Sequence, residues 1–170
     1  FRMNLDGPID LTLLERSLLQ IMQRHEALRT SFRVVDSEIQ QIVLPDPVFS
    51  LEAVDLRALP PDKQDAEVDA ICLHEAQTGF DLTKAPPLRA KLLHLNDSRH
   101  MLVLTSHQII CDGWSIGVLM EEMSKDYTAL ARQETAPLPP LNFQFGDYVV
   151  GQLETIAQPE AQTQLSCWRE

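Results

Sequence analysis

Two titratable side chains and a carboxamide follow the most strand-like segment of the chain. Residues 101–106 are largely apolar, and His107, Gln108 and Asp112 come directly after them, before Gly113 and a predicted helix. Polar residues at the end of a buried strand, just before a turn, are a common position for active-site groups. The same residues also suit a structural role, with Asp112 as a helix N-cap and His107 as a hydrogen-bonded core histidine. The chemistry of the segment alone leaves both possibilities open.

The elements that position this segment alternate between helix and strand, which predicts an α/β sandwich around a mixed sheet. Apolar residues at helical spacing predict helices over residues 10–23, 61–77 and 114–132, and more weakly near 144–156 and 159–169. Strand patterns predict a hairpin from 33–35 and 39–44, a short strand near 49–53, and strands at 88–95 and 101–106. We expect the last strand to be central because it is apolar on both faces.

The overall composition excludes several classes of protein. The chain has 170 residues, 44% of them hydrophobic and 23% charged, which fits one globular domain or one lobe of something larger. A net charge of -11 argues against a nucleic-acid partner. No apolar run approaches the roughly 18 residues of a membrane span, so no membrane partner is expected. Three cysteines without metal-ligand spacing favour a reducing cytoplasm and predict no metal site.

Four blocks of the sequence occur in the order found in a known family. They are RHEALRTSF at 24–32, FDL at 80–82 with PLRA at 87–90, HQIICDG at 107–113, and FGDYVV at 145–150. They resemble the RHExLRTxF, FDLxxxPLxRA, HHxxxDG and YxD(Y/F)AVW blocks of nonribosomal peptide synthetase condensation domains, in the chloramphenicol acetyltransferase-like superfamily. Two departures are Gln108, where the second motif His is usual, and Gly151, where Trp is usual.

The resemblance implies a fold. Its members have a chloramphenicol acetyltransferase-like two-layer sandwich, with a mixed sheet and flanking helices, in each of two lobes that form a V. The HHxxxDG motif lies at the floor of a tunnel between the lobes. Residues 1–170 would then be the N-terminal lobe, with the family's first motif and the C-terminal lobe absent from the sequence.

The resemblance also implies an activity and its partners. Condensation domains form an amide between a donor acyl or peptidyl thioester and an acceptor aminoacyl thioester. Both substrates arrive on peptidyl carrier proteins, attached to phosphopantetheine arms, so no cofactor is expected to bind this chain directly. The remaining partner would be the C-terminal lobe of the same domain.

Residue roles are carried over from the HHxxxDG motif. His107 would hold the loop. Gln108 would occupy the catalytic position of the second His, which in the family positions the acceptor amine or takes its proton. Asp112 would form a salt bridge with Arg24, or alternatively with Arg29, because a partly buried carboxylate needs a cationic partner. Gly113 would allow a tight turn or serve as an ordinary turn glycine. Trp114 and Ser115 would line the tunnel, or else pack and serve the first helical turn.

Gln108 leaves the activity open, since a carboxamide forms hydrogen bonds but has no pKa near neutrality. This chain could be an inactive relic of a condensation domain, a slow or altered catalyst, or a chain with a non-native change at position 108. Two alternatives to an active condensation lobe remain. One is an inactive lobe with a structural or carrier-protein docking role. The other is a related epimerisation domain or free-standing acyltransferase. Heterocyclisation domains are disfavoured because His107 stands where they carry Asp.

Overall fold

The computed structural model describes residues 1–159 and 161. The chain divides into a compact unit of residues 1–138 and a second unit that begins at Pro139. The helix predicted near 159–169 lies almost wholly outside the described residues, and so does the third cysteine, Cys167.

The helices of the structure begin and end close to the predicted positions. The order is β1 (Arg2–Asp6), α1 (Leu11–Arg24), a 3-10 turn (Glu26–Arg29), β2 (Thr30–Val35), β3 (Glu38–Val43), β4 (Glu52–Asp55), α2 (Pro61–Gln77), β5 (Leu88–Asn96), β6 (Arg99–Ser106), α3 (Gly113–Ala131) and α4 (Phe145–Ile156). Strand β1 was not predicted, and β2 begins at Thr30, before the predicted start of the hairpin.

The main sheet is mixed, as the sequence predicts. Its strand order is β1–β6–β5–β4, in which β4 runs parallel to β5 and the other pairs are antiparallel. Strand β6 lies between β1 and β5, which confirms its central position. Strands β2 and β3 form a separate hairpin, and its turn places Asp36 and Ser37 at positive φ, 52° and 68°. Positive φ at both central residues is the conformation of a type I′ hairpin turn, whose twist matches that of the flanking strands.

Helices cover the main sheet on both of its faces. Leu92 and Leu102 are fully buried against α1 and α3, whereas Leu93 and Val103 pack in a second cluster with Val68 of α2. This alternation follows from the two-residue period of a strand, and it makes β5 and β6 apolar on both sides. The predicted mixed sheet with flanking helices is confirmed, with α1 and α3 on one face and α2 on the other.

The start and the buried side of α1 follow from its sequence. The Asp10 carboxylate accepts hydrogen bonds from the backbone N–H groups of Thr12 and Leu13, at 2.9 and 3.1 Å, and so caps the helix. Leu14 and Leu18 lie on its buried side. Helix α1 therefore packs against α3, and this contact brings its C-terminal end towards the middle of α3. No helix in the described part of the chain combines the length and apolar character needed to cross a bilayer.

Candidate functional site

The turn between β6 and α3 carries the predicted site residues, and the backbone of β5 anchors it. The His107 N–H donates a hydrogen bond to the carbonyl of Pro87 at 3.0 Å, directly before β5 begins. The Nδ1 atom of His107 accepts one from the Ile109 N–H at 3.1 Å, and the His107 carbonyl accepts one from Ile110 at 3.1 Å. Because Nδ1 is an acceptor, the neutral ring carries its proton on Nε2. The imidazole of His107 thus holds the turn together.

Gln108 lies at the tip of this turn and is exposed. Within residues 1–159 and 161, no hydrogen bond holds its carboxamide. The backbone on either side is fixed by the contacts of His107, so the side chain projects from a defined position. The carboxamide is therefore free to donate to, or accept from, a molecule that reaches the turn.

Asp112 caps helix α3. Its Oδ1 atom accepts hydrogen bonds from the Ser115 N–H at 2.8 Å and from the Ser115 hydroxyl at 2.7 Å. These two donors, the backbone N–H first, hold the pKa of Asp112 below its ordinary value of 3.8. The carboxylate is therefore anionic at neutral pH, and its charge complements the positive end of the helix dipole. Ser115 serves the first helical turn, which is one of the two roles considered for it.

The structure corrects the ion pair predicted between Arg24 and Asp112. The Nε atom of Arg24 lies 3.1 Å from Oε2 of Glu122, and Nε2 of His25 lies 2.7 Å from the same oxygen. Helix α1 ends beside the middle of α3, so Glu122 is within reach of Arg24. In the described part of the chain, the Asp112 carboxylate is instead bonded to Ser115 at the start of that helix.

Arg29, the alternative partner predicted for Asp112, also forms its contacts with other residues. Its guanidinium donates to the carbonyls of Gln23 and Leu44, at 3.3 and 2.5 Å, and lies 3.6 Å from the Glu26 carboxylate. Arg29 thus ties the end of α1 to the end of the β2–β3 hairpin.

Sequence reasoning missed Glu122, the carboxylate that meets both Arg24 and His25. A signal was present, because Glu122 lies among the apolar positions of α3, next to the buried Leu119 and Met123. A carboxylate so close to a buried face needs a partner, and the RHE block supplies two.

Gly113 begins α3 with open space in front of it. A Cβ atom at this position would meet no atom within 4 Å, and its φ is not in the left-handed region, which among the described glycines only Gly7 occupies. The packing of residues 1–138 therefore does not itself require glycine here.

An apolar surface lies beside the turn. Trp114 is 84% exposed, so it does not pack in the core. Ile109 precedes it in the turn, and Val118 follows it by one turn of α3; both are partly exposed. A surface of this kind, next to an exposed carboxamide, can hold the apolar part of a substrate or of a partner.

Cys111 is the buried thiol of the turn. Burial raises its pKa, a hydrogen bond with Ser106 opposes that rise, and the charge of Asp112 adds to it. The thiol therefore stays protonated at neutral pH and is a poor nucleophile. In the described part of the chain, no group of three or more His, Cys, Asp or Glu side chains is arranged to hold a metal ion.

Three of the four sequence blocks are linked to one another by contacts. The ring of Phe80, in the FDL segment, packs edge-on against the ring of His107, with 6.2 Å between centroids. The carbonyl of Leu82 accepts a hydrogen bond from the N–H of Phe32, the last residue of RHEALRTSF, at 2.8 Å. The FDL segment therefore links the first block to the HQIICDG turn. The FGDYVV block lies in the second unit, where it begins α4 with a capping box formed by Gln144 and Asp147.

Comparison with known proteins gives consistent matches along the chain. A family model described as "Condensation domain" matches residues 1–170. A linear gramicidin synthase from Brevibacillus parabrevis is 37% identical over 164 residues, which is 96% of this chain and 3% of that protein. The chain thus spans a small fraction of the relatives it matches.

Two solved structures have the same fold. The starter condensation domain of rhizomide synthetase RzmA matches with a TM-score of 0.87 and 21% identity, over 98% of this chain and 40% of that one. The X-domain from teicoplanin biosynthesis, solved as a complex with OxyB, matches with a TM-score of 0.78 and 25% identity, over 99% of this chain and 37% of that one. These matches confirm the predicted mixed sheet with flanking helices.

Proposed function

The chain belongs to the condensation domain family, and on that basis we propose that it is the N-terminal lobe of a domain that forms an amide between two carrier-bound thioesters. The amine of the acceptor attacks the thioester carbonyl of the donor. The new C–N bond forms, the C–S bond breaks, and the proton lost by the amine balances the thiolate that leaves. The lobe supplies the turn at which the two substrates meet.

The observation that carries this proposal is the exposed Gln108 on a turn fixed by His107. The Gln108 carbonyl oxygen can accept a hydrogen bond from the attacking amine and so orient its lone pair towards the thioester. Orientation of two bound reactants can contribute several kcal/mol, about 7–11 in well-aligned cases. Gln108 cannot take the amine proton, so a general-base contribution of roughly 10²–10⁴-fold is absent from this copy.

The partners follow from the same chemistry. Donor and acceptor peptidyl carrier proteins bring the thioesters on phosphopantetheine arms, and the C-terminal lobe of the domain closes the tunnel over the turn. The open space before Gly113 and the exposed Trp114 support an approach of such arms to Gln108. We place the reaction in the cytoplasm, where carrier proteins are loaded, with neither nucleic acid nor membrane as a partner.

The test uses the full-length protein with loaded donor and acceptor carriers. We expect amide product from the wild type, a lower rate from Gln108→Ala, and an unchanged rate from Gln40→Ala, a matched change of an exposed glutamine on β3. Product only after Gln108→His would mean that a lost base, rather than positioning, limits this copy. No product from the wild type or from any variant would contradict the proposed function.

A second candidate is an inactive lobe that docks other proteins within a synthetase. Gln108 favours it because the position holds no titratable group, and the X-domain, which shares the fold, was solved bound to OxyB. In that case loaded carriers should bind the full-length protein with the same affinity in wild type and Gln108→His, and neither should release product.

A further inference from the structure

A line of side-chain contacts runs behind the motif turn, from α2 to the ring of His107. It consists of Glu75, Arg89, Phe80 and His107, and we name it the brace. Glu75 Oε2 lies 2.7 Å from Arg89 Nε, the Arg89 guanidinium carbon lies 4.0 Å from the Phe80 ring centroid, and Phe80 meets His107 edge-on. The turn that carries His107 and Gln108 is thus supported by α2, which lies on the opposite face of the sheet from α1 and α3.

Arg89 is held more firmly than a surface arginine. In addition to its bond with the Glu75 carboxylate, the Arg89 guanidinium donates to three backbone carbonyls around the end of α2. These are the carbonyls of Glu75, Thr78 and Gly79, at 3.1, 2.8 and 3.3 Å. A planar guanidinium can make all these bonds at once, whereas an ammonium cannot. The orientation of Arg89 is therefore fixed, and so is the position of its flat face over Phe80.

Glu75 is the buried anchor of the brace. The residue is 6% exposed, and its second carboxylate oxygen lies 3.5 Å from Lys91 Nζ. Burial alone would raise the pKa of Glu75, but Arg89 and Lys91 outweigh that effect and lower it. The anchor is thus an anion with two cationic partners.

We propose that Arg89 is a positioning residue, which acts through Phe80 to fix the ring of His107 and, with it, the place from which Gln108 meets the substrates. The ring makes one hydrogen bond, from the Ile109 N–H to Nδ1, and packing against Phe80 adds a second restraint on its orientation. The effect on reaction rate rests on the proposed function, whereas the effect on the ring of His107 does not.

The test compares Phe80→Leu and Arg89→Lys with the wild type in the full-length protein. Nuclear magnetic resonance of isotope-labelled histidine side chains reports the tautomer and motion of each ring. We expect both variants to shift or broaden the His107 signals, which are assigned by their loss in His107→Asn. An aromatic pair or a cation over a ring changes an equilibrium by roughly three- to tenfold, so the rate of amide formation should fall by that factor at unchanged KM.

The matched control is Arg57→Lys. Arg57 is also paired with carboxylates, those of Asp55 and Asp97, but it lies near His94 and His100, at the opposite end of strands β5 and β6. The Arg57→Lys substitution should shift the His94 and His100 signals and leave both the His107 signals and the rate of amide formation unchanged.

The outcomes test the brace and the proposed function separately. Unchanged His107 signals in both brace variants would overturn the inference, and so would shifted signals with a wild-type rate. If the wild type forms no amide, the proposed function fails, and the histidine spectra alone still support or overturn the brace.

Discussion

Replacing Glu122 by glutamine should destabilise the chain, because Arg24 and His25 converge on this one carboxylate. The Arg24 and Glu122 side chains are only 17% and 13% exposed. Hydrogen bonds to charged groups contribute roughly 1.5–3 kcal/mol each, and removing one partner of a fully buried pair costs roughly 3–5 kcal/mol. Glutamine keeps the volume and one acceptor, and the site is not fully buried. We therefore expect Glu122→Gln to lower the free energy of unfolding by about 2 kcal/mol.

The assay is urea unfolding of the chain, followed by far-ultraviolet circular dichroism. With a slope of about 2 kcal/mol per molar, the transition midpoint should fall by about 1 M urea. The matched control is Glu121→Gln, the neighbouring position on α3, where an exposed carboxylate pairs with Lys125 at 2.6 Å. Exposed pairs of this kind contribute little, so the midpoint of the control should not change.

Two results would refute this reasoning. Equal midpoint shifts for Glu122→Gln and Glu121→Gln would mean that burial does not strengthen the Glu122 contacts. Strict additivity of Glu122→Gln with Arg24→Gln would mean that the two side chains do not interact energetically, since residues in contact should show coupling.

Four further predictions concern the cap of α3, its pH dependence, the thiol of the turn and the core. Asp112→Asn should preserve the cap and Asp112→Ala should not, so the Ser115 amide should exchange faster with solvent only in the alanine variant. Because the folded pKa of Asp112 is lowered, its stabilisation should be complete above its ordinary value of 3.8 and be lost as the pH falls through the lower folded value. Acid unfolding of the wild type compared with Asp112→Asn, which lacks the titrating carboxyl, checks this. Cys111, which is buried with a raised pKa, should be alkylated by iodoacetamide more slowly than Cys72 until urea unfolds the chain, as mass spectrometry of the labelled peptides would show. Leu92→Ala, at a position with 0% exposure, should cost roughly 2–5 kcal/mol in urea unfolding; a cost below 1 kcal/mol would contradict its place in the core.

Elements with a clear local period could be predicted from the sequence. Helix α2 occupies the predicted residues, since Pro61 sets its first turn, and β6 is central because its residues are apolar on both faces. Strand β1 was missed although a signal was present, because RMNLD alternates polar and apolar residues and its burial alternates in the same way. It is a strand by virtue of pairing with β6, in which Arg2 lies opposite Val103.

The candidate site shows the same division between local and distant effects. The order of the four blocks and the place of His107 between a strand and a helix could be predicted from the sequence. For the partner of Arg24 the sequence held only part of the signal: Glu122 lies among the apolar positions of α3, but which cation it meets depends on which turn of α3 lies beside the end of α1. The brace could not be predicted, since Glu75, Phe80 and Arg89 meet only when α2 and β5 pack together.

The pairing of β1 with β6 also constrains how the chain can be made. A ribosome delivers residues in order, at roughly 5–20 per second, so the first strand must wait several seconds for the segment that will lie against it. Helix α1 can form early, but its apolar side has no sheet to pack against until β5 and β6 have left the ribosome. Helix α1 should therefore stay accessible to protease on the nascent chain until β5, β6 and α3 have all been made, and should become resistant only once synthesis has passed Ala131.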